Sequence, residues 1–114
     1  MPLYAAITYT ADVDWTAPEQ GAEMAEYGAF SAGAAAVLRG GAALYPTSTA
    51  TTVRVSQKGG EAVTSDGPYV ETKEVLTGFF LLECADLDEA ITHAAAIPAA
   101  WNGAVEVRPV IPMG

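Results

Sequence analysis

The nine residues DGPYVETKE at positions 66–74 bring both signs of charge together behind a rigid turn. Proline fixes its own φ and disfavours the helical region for Gly67, so the Asp66 carboxylate is expected at a bend. A carboxylate held beside apolar strands can have its pKa raised and can act as a general acid or base. Asp66 is therefore the predicted catalytic residue, and the competing interpretation is that it only accepts hydrogen bonds within its own turn.

Four more charged side chains extend this candidate site. Glu71 and Lys73 are two residues apart, so an extended chain projects both from one face. Arg54 and Arg108 lie within strand-like segments, where their guanidinium groups leave the face of the neighbouring valines and can meet an anion or a carboxylate. The predicted ligand-binding residues are therefore Arg54, Asp66, Glu71, Lys73 and Arg108. Structural ion pairing is the alternative for these charges.

Metal and cofactor chemistry have little support in the sequence. The chain has one cysteine, one histidine and no pair at ligand spacing, so no metal site is expected. No glycine-rich phosphate motif follows a strand, and no cofactor is expected. The lone Cys84 lies in an apolar run and is predicted to be a buried thiol. His93 falls within a predicted helix, far along the chain from Asp66, and we expect an ordinary helix residue there.

Length and composition fit one domain spanning residues 1–114, since the chain is 51% apolar and no long linker interrupts it. Its 14 acidic and 5 basic residues give a net charge of −9, which opposes direct binding to nucleic acid. No segment reaches the ~20 apolar residues of a membrane span, and the first residues lack the basic start of a signal peptide. We therefore expect a cytoplasmic protein without a membrane partner.

The first half of the chain predicts a strand, a long helix and a short strand. Alternating side chains over residues 3–10 are typical of a strand. A capping box at positions 16–19 opens a helix whose apolar residues recur at helical spacing as far as Leu38. The glycine pair at 40–41 is expected to end that helix, and residues 42–45 are expected to form the second strand.

The second half predicts a hairpin, a strongly apolar strand, a second helix and a last strand. Val53, Val55 and Val63 are the candidate inward residues of the hairpin. Asp86 and Glu89 fit a capping box for the second helix. The predicted bounds are 51–56 and 61–65 for the hairpin strands, 76–84 for the apolar strand, 87–97 for the helix and 104–110 for the last strand.

The strand over 76–84 is apolar on both sides. Phe79 and Leu81 alternate with Phe80 and Leu82, so one pair faces the two helices and the other pair needs a second cover. A partner subunit is the simplest cover, and the sequence therefore predicts a homodimer. Packing of tails or loops across that face is the alternative.

Four segments carry a resemblance to a known family: DGPYVETKE at 66–74, GFF at 78–80, LDEA at 87–90 and VEVRPV at 105–110. Together they resemble the DGPF branch of the YCII-related family, with tyrosine in place of phenylalanine in the signature, residues 66–74. The resemblance implies an α+β, ferredoxin-like split β-α-β domain, here with an added hairpin, that dimerises into a barrel-like assembly. Some relatives carry a His and Asp thought to act as a dyad, and other related domains are encoded beside or fused to alternative sigma factors.

Three functions follow as hypotheses. The first is binding of a small polar or anionic molecule in a pocket near the signature. The second is a small enzyme that uses Asp66 as general acid or base, for which the lone His93 is a departure from the dyad of the relatives. The third is a regulatory or docking module that binds a protein such as a sigma factor. A pocket with convergent polar groups would favour the first two, and a flat acidic dimer without a pocket would favour the third.

Overall fold

The computed structural model describes residues 1–113 as an α+β fold, which confirms the predicted class. The strands are β1 (Leu3–Ala11), β2 (Leu38–Ala43), β3 (Thr51–Val55), β4 (Ala62–Asp66), β5 (Glu74–Glu83) and β6 (Ala104–Pro109). The helices are α1 (Gly21–Gly33), α2 (Leu87–Ala94) and α3 (Ala99–Asn102), with short 3-10 helices at Pro18–Gln20 and Thr47–Thr49.

Four strands form one antiparallel sheet in the order β2-β5-β1-β6. Helix α1 connects β1 to the edge strand β2, and α2 with α3 connects β5 to the edge strand β6. This order is compatible with the predicted ferredoxin-like split β-α-β arrangement. Strands β3 and β4 pair with each other as a separate two-stranded sheet and form the predicted hairpin between β2 and β5.

One face of the four-stranded sheet carries the hydrophobic core. Tyr4 and Ala6 of β1 and Leu82 of β5 belong to one buried cluster with Phe30 of α1. The buried residues that α1, α2 and the segments around them add to this cluster are otherwise mainly small: Ala34, Ala90, Ala94, Ile97 and Ala99. The predicted burial of Cys84 is confirmed, since its side chain belongs to the same cluster and is fully buried.

The opposite face of the sheet carries no helix within residues 1–113 and is apolar along its two central strands, with Glu106 and Arg108 of the edge strand β6 at its border. Strand register places Ile7 opposite Phe79 and Ala5 opposite Leu81, on the side away from Tyr4 and the helices. We call this surface the open face, formed by Leu3, Ala5, Ile7, Tyr9, Phe79 and Leu81. The predicted two-sided apolarity of β5 is therefore present, and one of its sides is uncovered in the single chain.

The long first helix was predicted wrongly at both ends. Asp14 accepts hydrogen bonds from the backbone and hydroxyl of Thr16, and no side chain caps the helical turn that starts at Pro18, so the capping box at 16–19 does not form. Helix α1 ends at Gly33, seven residues before the glycine pair. Leu38 is the first residue of β2 and pairs with Leu82 of β5 instead of continuing the helix. Strand pairing satisfies the backbone N–H and C=O groups that a longer helix would otherwise satisfy.

The glycine pair at 40–41 lies inside β2 and serves strand packing instead of a helix cap. A Cβ at Gly41 would lie 2.5 Å from the Phe79 carbonyl oxygen, and a Cβ at Gly78 would lie 2.4 Å from the Ala42 carbonyl oxygen. The two backbones therefore approach so closely that neither position tolerates a side chain. The predicted helix reached Leu38 because the helical spacing of apolar residues carries no information about this contact between β2 and β5.

The hairpin strands are confirmed, but their predicted inward residues are exposed. Val53, Val55 and Val63 are 60%, 46% and 66% exposed. The radius of gyration is 16.0 Å, against about 13 Å for a compact chain of this length, which is consistent with a projecting hairpin. Alternation showed which side chains share a hairpin face, whereas burial also requires another element to cover that face.

The second helix confirms half of its predicted capping box and ends early. The Asp86 carboxylate accepts a hydrogen bond of 2.9 Å from the Glu89 backbone N–H. Helix α2 ends at Ala94 instead of 97, and Pro98 precedes the separate helix α3. Proline suits the start of a helix because it lacks the N–H that the first turn leaves unpaired, so Pro98 opens α3 as well as limiting α2.

Replacing Gly78 by alanine tests the close approach of β2 and β5. We expect Gly78→Ala to lower the free energy of unfolding by about 2 kcal/mol or more, because backbone atoms must move to admit the Cβ. Gly21→Ala is the matched control: nothing lies within 4 Å of its added Cβ, and helix propensity should stabilise it by about 0.5–1 kcal/mol. Urea denaturation measures both, and equal stability of the two variants would contradict the close approach.

Candidate functional site

Backbone hydrogen bonds hold the start of the signature against the base of the hairpin. The Gly67 N–H donates to the Ala50 carbonyl at 2.8 Å, and the Thr52 hydroxyl donates to the Gly67 carbonyl at 2.8 Å. Gly67 has a φ of +100°, a conformation that glycine adopts more readily than any other residue. The Asp-Gly-Pro step therefore makes the expected bend, and the bend is anchored to the strand it faces.

The signature forms one wall of a cleft of about 700 Å³, which we call the signature cleft. Its other walls come from the segment between β2 and β3 and from the adjoining ends of β1 and β5. The signature contributes Pro68, Tyr69, Val70, Thr72 and Glu74. The other side chains that line it include Tyr9, Leu44, Tyr45, Thr47, Val75 and Leu76. The cleft is thus mainly apolar and aromatic, with hydroxyl groups and one carboxylate.

A β-bulge brings the cleft to the edge of the open face. The pairing of β1 with β5 shifts by one residue after Thr8, so Tyr9 lies opposite Leu76 while Thr8 lies opposite Gly78. Tyr9 belongs to the open face and also lines the cleft. A bulge re-aims the side chains of one strand relative to its neighbour. The floor of the signature cleft is therefore continuous with the uncovered side of the sheet.

A side-chain tether holds the segment between β2 and β3 in place. Asp12, just after β1, accepts a hydrogen bond of 2.9 Å from the Thr47 backbone N–H and a second one from the Thr47 hydroxyl. Both bonds lower the pKa of Asp12 below its ordinary value of 3.8, and the bond from the Thr47 hydroxyl has the larger effect. Because Thr47 lines the cleft, the charged form of Asp12 supports one of its walls.

Arg54 is the predicted site residue that contacts the cleft wall. Its guanidinium carbon lies 5.4 Å from the centre of the Tyr69 ring, within the range of a cation–π contact. Asp66 lies at the end of β4, exposed and paired with Thr51. Residues 51 and 54 project from opposite faces of β3, so Arg54 and Asp66 lie on opposite faces of the hairpin. The structure therefore does not bring these two side chains together.

The remaining predicted residues lie beside the cleft or far from it. Glu71 and Lys73 alternate in sequence with Val70, Thr72 and Glu74 of the lining and are absent from the lining themselves. Arg108 lies on β6, at the other edge of the sheet from β2, and forms an ion pair with Glu106. That hydrogen bond raises the pKa of Arg108. Arg108 thus has the kind of partner that the ion-pair alternative describes, and the ligand-binding roles of Arg108, Glu71, Lys73 and Asp66 stay predictions.

Sequence reasoning missed the tyrosines of the site. Three of the five tyrosines of the chain, Tyr9, Tyr45 and Tyr69, line the signature cleft. They come from three separate segments, so no local spacing connects them. The one available indication was the tyrosine inside the signature itself. The prediction selected the charged residues beside it, whereas the lining of the cleft consists mainly of aromatic rings, aliphatic side chains and hydroxyl groups.

His93 lies among the helices, apart from the signature. It belongs to α2, as predicted, and is half-buried. A groove of about 490 Å³ between α1 and α2 contains His93 with Glu26, Phe30 and Trp101. Asp66 does not line this groove and belongs to the hairpin. The single chain therefore places the two residues of the hypothetical dyad on separate elements.

Comparison with known proteins assigns the chain to a family. A family model described as the YCII-related domain matches residues 3–114, so the chain belongs to the YCII-related family. The chain is also similar to an uncharacterized protein of Rhizobium meliloti strain 1021, with 48% identity over 71 residues. That match covers 60% of this chain and 56% of the relative, so the chain matches little more than half the length of the curated relative. No helix within residues 1–113 has the length and apolarity needed to cross a membrane.

The tether between Asp12 and Thr47 predicts a pH dependence. A carboxylate whose pKa is lowered by folding stabilises the fold fully above its unfolded pKa, here 3.8, and this stabilisation is lost as pH falls through the folded pKa. We expect Asp12→Asn to lower the free energy of unfolding at pH 7 by less than ~1 kcal/mol, since the pair is exposed. The difference from the parent protein should shrink toward pH 3.

Urea denaturation of both proteins at pH 7 and pH 3 measures this effect. Glu61→Gln is the control, because it removes one exposed carboxylate of the hairpin without touching the tether. A difference between Asp12→Asn and the parent that stays constant from pH 7 to pH 3 would show that the tether does not depend on the charge of Asp12.

Proposed function

We propose that this YCII-related domain binds a small molecule in the signature cleft and does so as a homodimer. The observation that carries the proposal is that the signature, the segment that resembles the DGPF branch, forms a wall of a cleft of about 700 Å³. Cavities of roughly 300–1,000 Å³ with an apolar lining and few polar groups are typical of small-molecule sites. Binding, unlike catalysis, requires no reactive side chain in addition to those that line the cleft.

The lining indicates what kind of molecule fits. Leu44, Val70 and Leu76 offer apolar surface, and the tyrosine rings offer flat surface with a polar tip. Glu74 accepts hydrogen bonds and repels an anion placed beside it. A small polar ligand with an apolar body satisfies both conditions, and an anionic group on it would lie at the rim near Arg54.

Acid–base catalysis by Asp66 ranks below binding. Asp66 is exposed, and within residues 1–113 its side chain forms no hydrogen bond or ion pair that would orient it. A general acid or base must lie within hydrogen-bond reach of a bound substrate, and Asp66 is absent from the cleft lining. Docking of a protein such as a sigma factor ranks lower too, because the presence of a cleft favours a small ligand.

The open face supports the homodimer. The molecule is flat, with extents of 44 × 41 × 19 Å, and its short axis matches one sheet layer and one helix layer of about 10 Å each. One broad side is therefore the apolar open face, and apolar surface of this kind contributes about 25 cal/mol per Å² when a partner covers it. Because the signature cleft adjoins this face, a partner subunit would also limit access to the cleft.

Introducing a charge on the open face tests the homodimer. We expect the parent protein to sediment as a dimer at micromolar concentration and Leu81→Glu to sediment as a monomer, because a charge at the centre of an apolar interface is left unpaired. Ile91→Glu is the matched control: Ile91 is 50% exposed on α2, on the other side of the sheet, and this variant should remain dimeric. A monomeric parent, or a dimeric Leu81→Glu, would contradict the proposed interface.

A thermal-shift screen of small metabolites against the parent protein tests the cleft. For a molecule that raises the melting temperature, we expect Tyr69→Ala to weaken binding at least about tenfold, or ~1.4 kcal/mol, because a wall of the cleft is removed. Val63→Ala is the control, since Val63 is similarly exposed on the hairpin and does not line the cleft. Titration calorimetry gives both affinities. Equal binding by Tyr69→Ala and the parent would place the ligand elsewhere.

A further inference from the structure

A third cavity, of about 390 Å³, lies between helix α1 and the helix-covered side of the sheet. We call it the helix–sheet pocket. Its main lining side chains are Thr8, Trp15, Met24, Tyr27, Thr77 and Phe80. It has no lining residue in common with the signature cleft. Its volume lies within the roughly 300–1,000 Å³ of small-molecule sites, toward the lower end.

Small residues on both layers create this pocket. On α1, positions 24, 27, 28 and 31 line it, the spacing of one helix face, and positions 28 and 31 are glycine and serine. On the sheet, Gly41 and Gly78 line it and cannot carry a side chain, because a Cβ on either would collide with the backbone of the neighbouring strand. The gap between helix α1 and the sheet therefore stays unfilled, because the residues that line it there have small side chains or none.

Aromatic rings surround the pocket at one end. Trp15 meets Tyr27 edge to face at 5.8 Å between ring centres, and Tyr27 stacks on Phe80 at 6.3 Å. Phe80 is also in edge-to-face contact with the buried Phe30 at 4.9 Å, so its ring is held by the core. Fixed rings of this kind favour a flat apolar or aromatic ligand, which gains contact area without distorting the wall.

Hydroxyl groups provide a polar point on the pocket floor. The bulge in the β1–β5 pairing brings the Thr77 hydroxyl to 3.0 Å from the Thr8 hydroxyl and 3.4 Å from the Thr10 hydroxyl. A hydroxyl donates one hydrogen bond and accepts two. Whichever of Thr8 and Thr77 donates to the other, the Thr8 oxygen retains an acceptor position. A ligand with an N–H or O–H donor would satisfy it.

The surroundings of the pocket disfavour an ionised ligand. None of the side chains that line it is a carboxylate or a cation. Burial and the nearby Glu23 carboxylate raise the pKa of Tyr27, so negative charge is disfavoured at this wall. An ion of either sign would be desolvated there without a charged partner in the lining, at a high cost in free energy. A neutral molecule avoids this cost.

We propose that the helix–sheet pocket is a second binding site, specific for a neutral, flat and mostly apolar molecule that carries an N–H or O–H donor. The rings of Trp15, Tyr27 and Phe80 contact its body, and the Thr8 hydroxyl accepts its hydrogen bond. The site lies on the opposite side of the sheet from the open face, so it does not depend on the proposed ligand of the signature cleft or on the homodimer.

The neutral fluorophore N-phenyl-1-naphthylamine, which has aromatic rings and one N–H, is the probe for this site. We expect saturable binding to the parent protein, measured by fluorescence titration. Gly28→Leu should lower the affinity at least about tenfold, because a Cβ at position 28 meets nothing within 4 Å and a leucine there fills the pocket. The matched control is Gly21→Leu in the same helix, where the Cβ also meets nothing and no pocket is lined, and its affinity should stay within about twofold.

Two further variants separate this site from other surfaces. Thr8→Val keeps the shape of the pocket and removes the acceptor, so we expect about fivefold weaker probe binding. Tyr69→Ala alters the signature cleft and should leave probe binding unchanged. The absence of saturable binding to the parent overturns the proposal, as does equal affinity in Gly28→Leu and Gly21→Leu. Weakening by Tyr69→Ala but not by Gly28→Leu overturns it too, and assigns the probe to the signature cleft.

Discussion

The position of β5 between β1 and β2 is the constraint on which the rest of the structure depends. A strand paired on both sides has two faces, and this one is apolar on both. Leu82 and Phe80 on one face hold the helices through Phe30 and its neighbours. Leu81 and Phe79 on the other face are left without a helix within residues 1–113. The helical core and the open face are therefore two consequences of one apolar strand.

The bulge between β1 and β5 separates two cavities of different character. On one side of it, Thr8 and Gly78 belong to the helix–sheet pocket, and on the other side, Tyr9 and Leu76 belong to the signature cleft. The extra residue, Thr77, directs its hydroxyl to Thr8, so the irregular pairing is also hydrogen-bonded. Bulges are frequent next to binding sites because they re-aim side chains without ending the strand pairing.

Charge has a smaller part in the architecture than its prominence in the sequence indicates. Arg39 pairs with Glu83 and Arg108 pairs with Glu106, and all four side chains are well exposed, so these pairs contribute little to stability. Arg54 lies over the Tyr69 ring, where its effect is on the position of a cleft wall. The chain is therefore characterised by its membership of the YCII-related family and not by an acid–base arrangement, since His93 and Asp66 lie on separate elements.

The sequence by itself determined the α+β class, the hairpin, both faces of β5 and the bend at Gly67, because alternation, turn residues and proline act within a few residues of the chain. Only the tertiary structure decided where α1 ends, since Leu38 and Gly41 follow the demands of β5 across the sheet. The same holds for the exposure of Val53 and for the tyrosines that meet in the signature cleft. Those outcomes depend on contacts between residues distant in sequence, which local spacing does not record.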